Sequence, residues 1–140
     1  DMAVYLDQLK KDSYTLLPIE QLGIISDYYP NQNSFILLYH PDSPLPDNLF
    51  EQIKKIKNDS QNKNLFVFFP ENHGFNKEWE TFFLDYGLNP IVIDDEMRSL
   101  FTSRFEESRI LLIDKDFFLI NRLNPYRPDW FEISKDFLKK

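Results

Sequence analysis

The chain has 140 residues, of which 42% are hydrophobic and 28% are charged, and its formal net charge at pH 7 is −7. This composition is typical of a folded globular protein, and the length fits a single domain spanning residues 1–140. The negative charge argues against nucleic acid as a partner, because nucleic acid binds cationic protein surfaces. No apolar run is long enough to span a bilayer, so we expect no transmembrane segment.

The sequence contains no cysteine. Disulfide bonds, thiolate catalysis and cysteine-ligated metal sites are therefore excluded. The chain has 3 glycines, and they stand apart from one another, so no glycine-rich phosphate loop is present. We assign no cofactor and no metal ligands from the sequence.

Residues 1–33 are predicted to form an N-terminal extension. The helical spacing of Met2, Tyr5, Leu6 and Leu9 predicts a short helix that ends near residues 10–11. A short strand over 14–17 and a helix over 19–29 are predicted to follow. The remaining residues, 34–140, are predicted to form the core of the domain.

From Ser34 onward, apolar runs alternate with helical periodicities. In chain order the pattern predicts strand Phe35–Tyr39, helix Asn48–Lys57, strand Leu65–Phe69, helix Lys77–Tyr86, strand Ile91–Ile93, helix Asp95–Phe101, strands Arg109–Ile113 and Phe117–Leu123, and helix Asp129–Leu138. We expect Asp47 to cap the first of these helices and Asn89–Pro90 to form a turn. The first two strands are joined by a helix and should be parallel, whereas the last two are joined by three residues and should form an antiparallel hairpin. The pattern therefore predicts an α/β sandwich of three layers, with a mixed central sheet flanked by helices and a C-terminal hairpin plus helix.

Two stretches carry a family resemblance. The passage Phe83–Asp94, FLDYGLNPIVID, is similar to an F-x-x-x-G-hydrophobic…P-hydrophobic-x-x-D pattern, and Arg109–Asp114, RILLID, is similar to a T-hydrophobic-L-I-D strand. Together with the order of elements, they make Ser34–Lys140 resemble the thioredoxin-like superfamily, in its branch of thiol–disulfide oxidoreductases and peroxiredoxin relatives. The resemblance implies a thioredoxin-like sandwich and an extracytoplasmic location, where this branch usually works.

The chain departs from that family at its reactive centre. The Cys-x-x-Cys tetrad of the family aligns with Ser43, Pro44, Leu45 and Pro46. The cis-proline that precedes the hairpin in the family aligns near Ser108, and no proline occurs between Pro90 and Pro125. Oxygen and nitrogen groups cannot replace thiol exchange. The resemblance therefore implies a redox-inactive domain that binds or scaffolds a protein partner, through the former active-site edge at His40–Pro46, 71–74 and 105–108.

A second hypothesis starts from the two histidines, His40 and His73. Both follow predicted parallel strands, at the edge where open α/β sheets bind ligands. With Asp42 or Glu71 they could bind zinc, which would make the chain a metal-dependent or hydrolytic enzyme. The pair Ser43 and His40 lacks an elbow signature and an assignable orienting carboxylate, so we interpret both as turn residues.

The chain is also rich in aromatic residues, which we expect mainly in the core. This interpretation covers Phe66, Phe68, Phe69, Phe82, Phe83, Phe117 and Phe118. An exposed aromatic patch would instead indicate a protein interface. The candidates for such a patch are Tyr126, Trp130 and the loop 125–128.

Overall fold

The computed structural model describes residues 29–96, 98, 108–116 and 118–140. Its strands are β1 (Ser34–Leu38), β2 (Leu65–Pro70), β3 (Asn89–Ile93), β4 (Ile110–Ile113) and β5 (Leu119–Leu123), and its helices are α1 (Leu49–Ser60), α2 (Lys77–Asp85) and α3 (Trp130–Leu138). None of the helices in these residues is long and apolar enough to cross a bilayer. The elements predicted before residue 29 lie outside the described residues. Of the predicted helix Asp95–Phe101, only Asp95, Glu96 and Arg98 are described, and they are helical.

The five strands form one mixed sheet in the order β3-β2-β1-β4-β5. Strand β1 pairs with β2 in parallel, and β2 pairs with β3 in parallel. Strand β4 lies antiparallel to β1 on its other side, and β4 and β5 form the antiparallel hairpin. The predicted α/β class, the parallel first pair and the hairpin are confirmed.

The prediction of a turn at Asn89–Pro90 is wrong, because both residues belong to β3. Pro90 lies opposite Val67 in the parallel ladder. Proline has no backbone N–H, so it is tolerated where one side of a strand forms no ladder. Among the strands that the structure describes, β3 is outermost, which is the position that accepts this proline.

The predicted cap at Asp47 is also wrong. Helix α1 begins at Leu49 and its N-cap residue is Asn48, whose side chain makes no capping hydrogen bond. Helix α2 has the expected kind of cap, because Asn76 accepts a hydrogen bond from the backbone N–H of Trp79 at 3.0 Å.

The three described helices pack on the same face of the sheet. Their buried side chains form one cluster with the residues of β1, β2 and β4 that point to that face, including Phe35, Leu65 and Leu112. On the opposite face Ile36 and Phe66 are fully buried as well. Both faces of the central strands are therefore buried, as expected for strands that are apolar on both faces. The described helices cover one of these two faces.

Three buried asparagines lie at the amino-terminal ends of β1 and β2. Asn62 donates from Nδ2 to the carbonyl oxygens of Asn33 and Leu138, and its Oδ1 accepts from the N–H of Asn64. Asn64 in turn accepts from the N–H of Tyr29 and donates to its carbonyl. We call Asn33, Asn62 and Asn64 the asparagine cluster. It joins the start of β1, the loop before β2 and the end of α3. From the sequence, these asparagines were indicated only as polar loop residues.

Candidate functional site

The candidate site lies at the opposite end of the sheet, where the parallel strands β1 and β2 end. His40 comes two residues after β1 and opens a turn in which the N–H of Ser43 donates to the His40 carbonyl oxygen at 3.1 Å. Pro41 occupies the second position of this turn, where its fixed φ favours the bend. The turn brings the N–H of Asp42 to Nδ1 of His40 at 3.1 Å, so that His40 and Asp42 are held side by side.

His73 reaches the same place from the loop after β2. Its neighbours Asn72 and Gly74 both have positive φ, at 63° and 82°. Asparagine and glycine tolerate this left-handed conformation better than other residues. Two left-handed residues therefore flank His73, and the loop places its ring beside that of His40, just after the end of β1.

The structure thus brings together three side chains from two loops, His40, Asp42 and His73, which we call the carboxyl-edge triad. The imidazole centroids of His40 and His73 are 4.5 Å apart, with the rings at 64°. One ligand atom from each of the three residues lies within 4.8 Å of the others. Of the two carboxylates that the sequence offered as partners for the histidines, the structure places Asp42 in this group.

Burial and the neighbouring positive charges favour the neutral form of His40. Burial lowers the pKa of His40, the positive charge of Arg98 and the neighbouring His73 lower it further, and Asp42 acts in the opposite direction. With this lowered pKa, the folded state binds fewer protons than the unfolded chain, in which His40 has its ordinary pKa of 6.5. His40 therefore lowers the free energy of unfolding as the pH falls below 6.5. The neutral imidazole is the form that accepts the Asp42 N–H and the form that binds metals.

Arg109 is a residue of this region that the sequence did not single out. Its Nε donates to the carbonyl oxygen of Leu38 at 2.7 Å, and its own carbonyl accepts from the N–H of Leu38. Its Nη2 is buried and has no hydrogen-bond partner in the structure. Burial lowers the pKa of Arg109, and Tyr126 and Tyr39 offset part of that effect. The guanidinium therefore links the end of β1 to the start of β4.

Ser43 ends the His40 turn, and Pro44, Leu45 and Pro46 follow it in the loop that leads to α1. Ser43 and Pro44 are exposed, and Leu45 and Pro46 are half-buried. Leu45 packs against the core cluster. Pro46 lines a surface pocket of about 280 Å³ together with Asn48, Gln52, Trp130 and residues 125–128.

Ser108 is half-buried and precedes β4. Leu37 pairs with Ile110 in the antiparallel ladder, so extending this register places Ser108 opposite Tyr39, next to His40. Residues 105–107, which the sequence assigned to the same edge, lie outside the described residues.

The predicted aromatic core is largely present. Phe66, Phe68, Phe69 and Phe83 are buried, whereas Phe82 is 37% exposed. Phe118 is half-buried, and Phe117 lies outside the described residues.

The predicted exposed patch near the C-terminus holds only in part. Tyr126 is 59% exposed, as predicted. The prediction that Trp130 is exposed is wrong, because this residue is buried. As the first residue of α3, Trp130 turns into the core cluster.

No protein-family model matches the chain, and no curated protein matches it.

Proposed function

We propose that the chain is a redox-inactive thioredoxin-like domain that binds a protein partner through the edge formed by His40–Pro46 and the loop 71–74. The observation that carries this proposal is the position of Ser43 and Pro46. They lie in the connection between β1 and α1, at the carboxyl ends of the parallel strands, where open α/β sheets place ligands.

The strand arrangement supports the same proposal. The resemblance implies a mixed sheet that ends in a hairpin followed by a closing helix. Strand β4 lies antiparallel to β1, β5 follows it, and α3 packs beside α1 in the core cluster. Ser43 and Pro44 are exposed, so this part of the edge is open to a partner.

A pair of cysteines at Ser43 and Pro46 should restore dithiol chemistry if the framework is thioredoxin-like. We expect the wild-type chain not to accelerate insulin reduction by a dithiol, because it has no sulfur nucleophile. The double variant Ser43→Cys/Pro46→Cys should accelerate insulin reduction measurably and should form an internal disulfide.

The matched control is Lys55→Cys/Asn58→Cys, which has the same spacing on exposed positions of α1. If the control pair were as active as the Ser43 and Pro46 pair, the thioredoxin-like assignment would be wrong. Activity of the wild-type chain would contradict redox inactivity.

The binding role is tested on Tyr126, which lines the pocket beside Pro46 and is exposed. We expect Tyr126→Ala to lose at least one protein that the immobilised wild-type domain retains from an extract of its native cell. The control is Ile120→Ala, an exposed apolar residue on β5 that should change nothing. Equal retention by both variants would exclude this end of the edge as the contact surface.

A metal-dependent or hydrolytic enzyme is the second candidate, and the convergence of the two imidazoles favours it. An enzyme also needs a pocket that holds substrate against the reactive groups. Among the described residues, the pocket beside this edge is lined by Pro46, Tyr126 and Trp130 rather than by either histidine. The geometry therefore supports binding more strongly than turnover.

A further inference from the structure

We propose that His40, Asp42 and His73 form a binding site for a divalent transition-metal ion of the zinc class. The proposal rests on the positions of three donor groups, and it does not depend on the thioredoxin-like assignment. It goes beyond the sequence, which offered the histidines without a fixed third ligand.

The distances suit closure around one ion. The three ligand atoms lie within 4.8 Å of one another. In a tetrahedral zinc site with bonds of about 2.0–2.2 Å, neighbouring ligand atoms are about 3.3 Å apart. Each pair therefore has to shorten by at most about 1.5 Å, which side-chain rotation can supply because all three residues are exposed or half-buried.

The donor types select the class of ion. Two imidazoles and one carboxylate suit zinc and its transition-metal neighbours, whereas magnesium and calcium prefer sites made of oxygen. Three protein ligands leave one position of a tetrahedral ion open. The triad therefore fits an ion that keeps a water molecule or accepts a ligand from a bound partner.

The charges around the triad act in both directions. The Asp42 carboxylate attracts a cation, and so does the net charge of −7 on the chain. Arg98 and Arg109 lie close enough to His40 to affect its charge, and both repel a cation. Of these two cations, Arg98 has the larger effect on His40.

One hydrogen bond competes directly with the metal. Nδ1 of His40 accepts the N–H of Asp42, so the proton of the neutral ring is on Nε2. If the ion binds Nδ1, it replaces the Asp42 N–H. If it binds Nε2, the ring proton must move to Nδ1, which can then no longer accept that N–H. Either way, the Asp42 N–H loses its acceptor when metal binds.

The experiment is a calorimetric titration of the tag-free chain with Zn²⁺, repeated with Mg²⁺. We expect binding of one equivalent of Zn²⁺ and no comparable binding of Mg²⁺. His40→Ala, His73→Ala and Asp42→Asn should each weaken zinc binding at least tenfold while leaving the circular dichroism spectrum unchanged. Glu71→Gln is the matched control, because this neighbouring carboxylate is not in the triad, and it should leave the affinity unchanged within twofold.

An amide spectrum recorded by NMR gives an independent readout. Zn²⁺ should shift the Asp42 amide resonance in the wild type and should leave it unmoved in His40→Ala. The proposal is overturned if the wild type takes up no zinc, or if the three triad variants bind zinc as tightly as Glu71→Gln does. A variant that fails to fold is replaced by His40→Gln or His73→Gln, which keep a polar side chain at the same position.

Discussion

Replacing Phe83 by alanine should lower the free energy of unfolding by about 3–5 kcal/mol, the usual cost of removing a buried aromatic side chain. Phe83 is the one residue of α2 that is fully buried, and its ring contacts those of Tyr39, Phe69 and Trp79. The loss combines the transfer of the ring to water with the cavity that remains. Urea denaturation monitored by circular dichroism measures it.

The neighbouring Phe82 provides the control. It lies on the same helix and also contacts Trp79 and Phe83, but it is 37% exposed. We expect Phe82→Ala to cost less than half as much as Phe83→Ala, because part of the ring is already in water. Equal losses would mean that α2 is not anchored through Phe83. Since Phe83 supports Tyr39, which precedes His40, the Phe83 variant should also weaken zinc binding.

Replacing Asn62 by alanine should lower the free energy of unfolding by about 2–4 kcal/mol, because buried polar groups without partners cost about 1–3 kcal/mol each. The change removes two hydrogen bonds donated by Nδ2, of 2.9 and 3.1 Å, and one accepted by Oδ1, of 2.7 Å. These bonds connect the start of β1 and the end of α3 to the loop before β2.

Two further variants separate hydrogen bonding from other effects. Asn62→Leu fills a similar volume but cannot replace the bonds, so it should be about as destabilising as Asn62→Ala. Asn58→Ala alters an exposed residue of α1 and should change stability by about 0.5 kcal/mol or less. If leucine at position 62 restored wild-type stability in urea denaturation, packing rather than hydrogen bonding would explain the role of Asn62.

The local elements were predictable because their signals are local. Phe35–Tyr39 and Leu65–Phe69 are unbroken apolar runs, and both form central strands within one residue of the predicted bounds. Leu49, Ile53 and Ile56 have the spacing of one helical face, and they are the buried residues of α1. The errors concern sites where the surroundings outweigh the local signal. Pro90 is tolerated in a strand that is outermost among the described strands of the sheet, a position that no local pattern reveals.

The candidate site was predictable only as separate residues. His40 and His73 are 33 positions apart in the printed sequence, and nothing in that spacing says whether their rings converge. Because the sequence spacing did not show that the two rings meet, we assigned no metal ligands from the sequence. The signal that could have been read is Asn72 and Gly74, which together favour a chain reversal around His73.

The sequence by itself determined the α/β class, the parallel strands, the terminal hairpin and the absence of thiol chemistry, because composition and periodicity are properties of the chain alone. Only the tertiary structure decided which polar residues are buried and which of them lie together in one site. It buried the asparagine cluster and joined His40, Asp42 and His73 at one edge. The physical reason is that parallel neighbouring strands deliver their carboxyl ends to the same place, whatever the length of chain between them.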